Sequence, residues 1–402
     1  LETTGLDPRT DRVRIVALSS ETETCLIDTA AFTVDTLRSC LEPLFSEGPR
    51  LVFHHALFDL EFLSYLGLEP SSGHRLYDTA LAEQLIQHSG HIPSLADLAE
   101  QYTGFRLDKT LQKSDWNHDL TPEQLRYAAR DARTTLLVYL KQSPILRDLG
   151  LERVAEIEFR AIPAVVWMRR AGVPFDPERW VLVAKAEEAQ AAEALRELDP
   201  SVNWSSPKRV LEALRRIGLD LPDTSFESLS RHRDHPVVAV LLRYREHAKR
   251  LGTYGSTWLQ HLHPETGRIH PNWRQIGSET GRMACSAPNL MQVPREPLYR
   301  SCFRAPEGRV FIKADYSQIE LRLAAMIANE KAMLESFQKG EDLHIRTAIA
   351  VTGNPAEEIS KQDRQLAKAL NFGLLYGMGA ESLRSYALAN YGVTLTPSEA
   401  AE

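Results

Sequence analysis

The sequence predicts an α/β domain over residues 1–150, followed by an α+β region whose first part is all helical. Three observations carry this. Apolar runs at 13–18 and 51–53 read as strands and alternate with helical patterns near 57–66, 78–88 and 122–141. Residues 178–198 are rich in Ala and Glu, which favours one long helix. Val310, Phe311 and Ile312 are β-formers, so a short strand is expected to end at Asp315 before helical periodicity resumes.

Three acidic positions stand out in the first domain. Glu2 precedes Thr3-Thr4-Gly5-Leu6-Asp7. Asp59 follows the second strand, in His54-His55-Ala56-Leu57-Phe58-Asp59. Asp131 lies four residues after Tyr127, so the two share a helix face. Taken singly, each acid reads as a surface residue and Tyr127 as a core ring. Together, carboxylates from separate segments can converge on two magnesium ions for phosphodiester cleavage, with Tyr127 orienting the water.

From 151 to 177 the pattern is a helix and a turn, stopped by Ala171-Gly172-Val173-Pro174. Pro207 stands in the first turn of a later helix, and Pro236 opens another that runs to about 260. In the latter, Arg243, Arg245, Lys249 and Arg250 fall within eight residues against one acid, Glu246. Residues 263–268 read as a hairpin turn. Beyond Asp315, Ser317 is placed to cap a helix whose apolar face holds Ile319, Leu323, Ala324 and Ile327. Arg364, Lys368, Phe372 and Tyr376 recur every four residues and form a slowly drifting stripe of two cations and two rings. That stripe suits a ligand with a polyphosphate tail and a flat base. Leu366, Leu370 and Leu374 form the opposite stripe and are expected to face the core.

With 402 residues, 43% hydrophobic and 25% charged, the chain has the composition of an ordinary globular protein of two or three domains. No apolar run approaches a membrane span. The net charge of −7 suits a nucleic-acid enzyme only if its cations gather on one face. Cys25, Cys40, Cys285 and Cys302 lack CxxC spacing and read as free thiols of a reducing compartment.

Asp315-Tyr316-Ser317-Gln318-Ile319-Glu320 resembles motif A of the family A DNA polymerases. Arg364-x-x-x-Lys368, with Asn371-Phe372-Gly373 and Tyr376-Gly377, resembles their motif B. Thr280-Gly281-Arg282, with Pro288-Asn289-Leu290 and Val293-Pro294, resembles a third signature. Glu2-Thr3-Thr4-Gly5-Leu6-Asp7, His55-x-x-Phe58-Asp59 and Tyr127-x-x-x-Asp131 resemble the three motifs of that family's 3′–5′ exonuclease.

The resemblance implies an α/β, ribonuclease H-like exonuclease domain over 1–150 and an α+β polymerase domain over 151–402. The latter would divide into a palm entry at 151–177, a helical thumb at 178–275, a palm with motif A at 276–324 and partial fingers with motif B at 325–402. It implies DNA-templated DNA synthesis with proofreading, in replication and repair. Asp315 and the Tyr316 carbonyl would hold metal in synthesis; Glu2, Asp59 and Asp131 would do so in proofreading. Two Mg²⁺ per site are implied, with Mn²⁺ as the alternative ion. Arg364, Lys368 and His344 would neutralise a dNTP triphosphate, Phe372 and Tyr376 would frame its base and sugar, and Glu320 would exclude a ribose 2′-OH. Arg245 and Lys249 would grip duplex phosphates, Arg282 would lie near the primer terminus, and Asn289 would touch template or primer backbone. The implied partners are primer-template DNA and dNTPs, with no membrane, for a cytoplasmic monomer.

Some positions depart from the family pattern. His55 stands where the family has Asn, and Met291 where DNA polymerase I has Gln. The Asp expected two positions before Glu2 and the His-Asp-Glu of motif C fall outside the sequence, so the chain by itself is expected to bind DNA weakly and to catalyse neither reaction well. Two other readings are a single-subunit RNA polymerase, against which Glu320 argues, and a non-catalytic primer-template binding module, against which the intact acids argue. Glu320 also fits a local capping box with Ser317.

Overall fold

Two short sheets start the fold. Glu2–Thr3, Val13–Ser19 and Thr24–Asp28 form an antiparallel sheet with Glu2 opposite Ile15 and Ile15 opposite Asp28. Leu51–Phe53 and Leu76–Asp78 form a parallel pair, joined through the helix Ala56–Tyr65 as parallel strands require. The computed structural model describes residues 1–70 and 73–401, and the chain divides into two units, Leu1–Val310 and Phe311–Glu402.

In the first unit the helix Pro122–Asp148 packs on the strand Val13–Ser19. A reciprocal cap opens this helix: Thr121 Oγ1 accepts from Gln124 N, and Gln124 Oε1 accepts from Thr121 N. Behind the sheets lies a core that includes Val16, Leu41, Leu57, Leu60, Leu76 and Tyr77. The helix Glu152–Ala171 closes that core with Ala155, Phe159, Ile162, Val165 and Val166. It ends at Gly172 (φ 62°, ψ 173°), where an added Cβ would meet the His270 ring at 2.5 Å. Only glycine fits that backbone and that approach.

An ion network joins the start of the chain to the 263–270 hairpin. Arg9 bonds Asp7 at 2.9 Å, Glu61 at 3.2 Å and the Arg169 carbonyl at 2.9 Å. Arg169 Nε pairs with Glu61 Oε2 at 3.1 Å, and His263 Nε2 lies 2.8 Å from Asp7 Oδ2. Burial holds the Glu61 carboxyl above its ordinary range even with two arginines beside it. Desolvation outweighs the pairing, as is usual for buried ions.

Two long helices, Pro177–Arg196 and Pro236–Tyr254, pack along each other. Their far end closes over Trp204, Val210, Leu214, Leu221, Leu229 and Leu241. At their base Trp180 stacks on Trp258 with centroids 4.2 Å apart, edged by Tyr254 and Tyr299. The buried Glu187 accepts from Tyr299 Oη at 2.7 Å and lies 2.7 Å from His247 Nδ1, which fixes the two helices to the following segment.

The second unit is helical among the described residues: Ile319–Ala328, Lys331–Lys339, Leu343–Thr352, Lys361–Leu375, Ala380–Tyr391 and Pro397–Ala401. The strand expected before Asp315 does not form. Val310 and Ile312 are 82% and 89% exposed, and no described strand pairs with them. β-Propensity expresses fit to a half-buried pleated surface, and none is offered here. Ser317 does not cap the next helix either. The helix opens on Gln318, at φ 53° and with no side-chain cap, and the Ser317 carbonyl accepts from Arg322 Nε at 2.9 Å. Leu366 and Leu370 pack against Ala369, Leu383 and Val393, but Leu374 is 67% exposed. Steps of four residues overrun a 3.6-residue turn, so a leucine two steps on has rotated about 80° off the core.

Candidate functional site

Three elements of the first unit carry the first cluster of acids. Glu2 lies on the first strand, Asp59 in the first turn of Ala56–Tyr65, and Asp131 within Pro122–Asp148. Asp78 sets the middle element: its carboxylate accepts from the backbone N–H of His55 (3.0 Å), Ala56 (2.7 Å) and Ala80 (2.8 Å). It thereby anchors two helix starts beside the parallel strands. His55 holds a left-handed backbone (φ 64°), which His adopts more readily than most residues.

The acids share one electrostatic neighbourhood. Burial, reinforced by Asp131 and Asp59, pushes Glu2 up to about 7. Burial also raises Asp59. Burial and the Asp131 charge raise the Tyr127 phenol. Lys109 sits among them, with Nζ 2.5 Å from Asp131 Oδ2 and 3.4 Å from the Tyr127 hydroxyl. Asp131 Oδ1 is buried with no hydrogen-bond partner. Among the described residues no group of three or more His, Cys, Asp or Glu side chains is placed to hold a metal ion. The chemistry of the donors nevertheless fits a hard divalent cation: they are carboxylate oxygens, one of them buried without a hydrogen-bond partner.

His54 gives this region its own pH dependence. Its Nδ1 lies 2.9 Å from Thr79 Oγ1, and burial pushes the ring down to about 4. The unfolded value is near 6.5, so the stabilisation is complete above that pH and is lost as pH falls toward 4, by about 3 kcal/mol. In urea unfolding at pH 7 and pH 4.5, His54→Gln should lose less stability on acidification than the wild type. Equal losses would mean that other groups set the acid limit.

In the second unit, Glu320 lies in the first turn of Ile319–Ala328 and accepts a hydrogen bond from the Tyr376 phenol. Arg364 Nη2 and Nε bond Asp342 Oδ2 at 2.7 and 2.9 Å. Asp342 also caps Leu343–Thr352, accepting from His344 N at 2.8 Å. His344 is 2% exposed, its Nδ1 lies 3.0 Å from Asn371 Nδ2, and burial lowers its pKa. The Phe372 ring centroid lies 6.0 Å from the His344 ring, and Lys368 Nζ lies 5.5 Å from the Tyr391 ring. His344, Arg364 and Phe372 are thus brought together through Asp342 and Asn371. Asp315 and Tyr316 are exposed, and Asp315 makes no hydrogen bond or ion pair among the described residues.

The remaining candidates are spread through the first unit. Arg245 donates to the Thr224 carbonyl and to Thr224 Oγ1, so its fork is engaged within the chain. Lys249 is exposed on the same helix. Arg282 is exposed in the loop between Asn272–Arg274 and Ala284–Ser286. Asn289 Oδ1 accepts from Met291 N at 3.1 Å and caps a short turn.

Comparison with known proteins matches two parts of the chain. Residues 1–147 match the model of a 3′–5′ exonuclease, and residues 182–396 match that of DNA polymerase family A. The chain belongs to DNA polymerase family A. It carries that family's 3′–5′ exonuclease domain ahead of the polymerase region, and the family's activity is DNA-templated DNA synthesis. It is 33% identical to DNA polymerase I of Aquifex aeolicus over 99% of this chain and 71% of that protein. It is 30% identical to DNA polymerase I of Pseudomonas aeruginosa over 87% of this chain and 41% of that protein. Its fold matches the POL domain of Pol1 from M. smegmatis, solved with DNA primer-template and dNTP, with a TM-score of 0.81 at 23% identity, covering 97% of this chain and 68% of that one.

Against the family A pattern, sequence reasoning missed three residues that organise these clusters. Asp78 and Asp342 each stand before a helical run and were legible as caps. Lys109 left no signal, because it reaches Asp131 from a loop 22 residues away.

Proposed function

We propose that the first unit performs 3′-end proofreading and that the second binds the incoming dNTP for primer extension. The observation that carries the DNA reading is the Tyr376–Glu320 hydrogen bond. It holds the carboxylate beside the helix of Arg364, Lys368 and Phe372, where it would meet a ribose 2′-hydroxyl. It also takes Glu320 away from the capping box that was its bland alternative.

In proofreading, Glu2, Asp59 and Asp131 would hold two Mg²⁺ ions. When bound, such ions activate water and stabilise the leaving oxygen. Tyr127 orients the water through its hydroxyl, which burial and Asp131 keep protonated. In nucleotide binding, Arg364 and Lys368 turn from Asp342 and the Tyr391 ring to the triphosphate. Asn371 keeps His344 in place beside them. Asp315 and the Tyr316 carbonyl are assigned to the metal side of synthesis. One exposed carboxylate is too few donors for two ions, so Asp315 is read as one member of a larger donor set. The partners are primer-template DNA and dNTPs; the ligands of the Pol1 neighbour support that pair. We place the protein in the cytoplasm as a monomer.

Primer extension with matched dNTP and rNTP, in the protein completed with motif C, tests the reading. Glu320→Ala should raise ribonucleotide use relative to dNTP by about tenfold or more, because space opens where the hydroxyl would sit. Tyr376→Phe, which frees the carboxylate but keeps it, should change the ratio less. An unchanged ratio in Glu320→Ala would leave Glu320 as a tether for Tyr376 and nothing more.

A further inference from the structure

The Lys109–Asp131 pair is unusual for a cation site, because a cation of the chain's own already lies on one of the acids. Nζ sits 2.5 Å from Asp131 Oδ2 and 5.3 Å from the centroid of the Tyr127 ring. The side chains of Lys109 and Asp131 are 24% and 20% exposed, so the ammonium borders water. Its backbone lies outside the three elements that carry the acids, in the irregular stretch between Leu95–Thr103 and Thr110–Lys113. Meanwhile Asp131 Oδ1 is buried and bare. A carboxylate satisfied on one oxygen only is half-compensated, which a buried charge tolerates poorly.

We propose that Lys109 is a built-in counter-charge for Asp131 that a divalent cation displaces, so that the exonuclease centre loads metal by exchange. This rests on reading the Glu2–Asp59–Asp131 cluster as that centre. The ammonium offsets the crowded acids when no metal is bound. A cation drawn to the bare Oδ1 then repels the ammonium, whose flexible stem can carry it out to water. Lys109 is thus a positioning residue that tunes metal affinity, and it keeps that affinity lower than the acids alone would set it.

The test is calorimetric titration of Mn²⁺ into the 402-residue chain at pH 7.5, with folding checked by circular dichroism. Lys109→Met and Lys109→Gln should each bind Mn²⁺ about tenfold more tightly than the wild type, because a repelling charge is gone. Lys109→Arg should stay within about threefold of the wild type, because the charge is kept. With Asp131→Asn already present, Lys109→Met should change affinity little. A merely structural lysine would not tighten binding when removed. Unchanged or weaker binding in both neutral variants overturns the proposal, as does tightening that persists beside Asp131→Asn. Absence of Mn²⁺ binding in every protein, wild type included, would instead overturn the metal-centre reading itself.

Discussion

In the protein completed with the outlying Asp and motif C, Asp131→Ala should lower removal of 3′-terminal nucleotides by about 10³-fold or more and leave primer extension within about twofold of the wild type. Asp131 touches the proofreading cluster at three points: it raises Glu2, it raises Tyr127, and it holds Lys109 at 2.5 Å. Alanine would leave Lys109 near Glu2 without the acid it pairs with. It would also remove the bare oxygen on which a cation would settle. In the second unit, Arg364, His344 and Glu320 have partners in Asp342, Asn371 and Tyr376. Degradation of a single-stranded oligonucleotide and extension of a primed template, on the same preparation, measure both. Loss of both activities in a folded variant would mean that the two centres are not independent.

The second large effect is on stability. Glu61→Ala should cost about 3–5 kcal/mol in urea unfolding of the first unit. Glu61 is 5% exposed and bonds Arg9 at 3.2 Å and Arg169 at 3.1 Å, on side chains only 8% and 13% exposed. Removing the shared acid takes the carboxylate partner from Arg169 and one of two from Arg9. Glu61→Gln should cost less, since its amide oxygen can still accept from one of them. A loss below about 1 kcal/mol for alanine would mean that water enters and solvates the arginines.

Much of the fold could be read from one sequence because its cues are local. The run at Leu51–Phe53 is the strand, Pro122 opens the helix that carries Tyr127 and Asp131, and Pro207 and Pro236 open theirs. The residues that failed do so for reasons outside their own segment. Val310 and Ile312 have strand chemistry, but among the described residues no strand pairs with them. Leu374 follows a four-residue spacing that holds the core face for one turn and has drifted off it by the second. In the clusters, the acids were visible as motif positions, whereas their partners were not. Lys109 reaches Asp131, and Arg364 reaches Asp342, across folds of the chain that no periodicity encodes.

The helix Glu152–Ala171 and the Arg9–Glu61–Arg169 network bear on how such proteins can be reassembled. Neither belongs to the first 150 residues alone, yet both complete their core and their charges. The proofreading domain is therefore not a cassette. A recombination event or a designed chimera joined at residue 150 would match Phe159, Ile162 and Val165 to a foreign core and Arg169 to a foreign acid. Exchange that preserves folding has to move 1–171 together with the 263–270 hairpin that answers Asp7, so inheritance in this lineage should track that discontinuous block, not the domain border drawn along the chain.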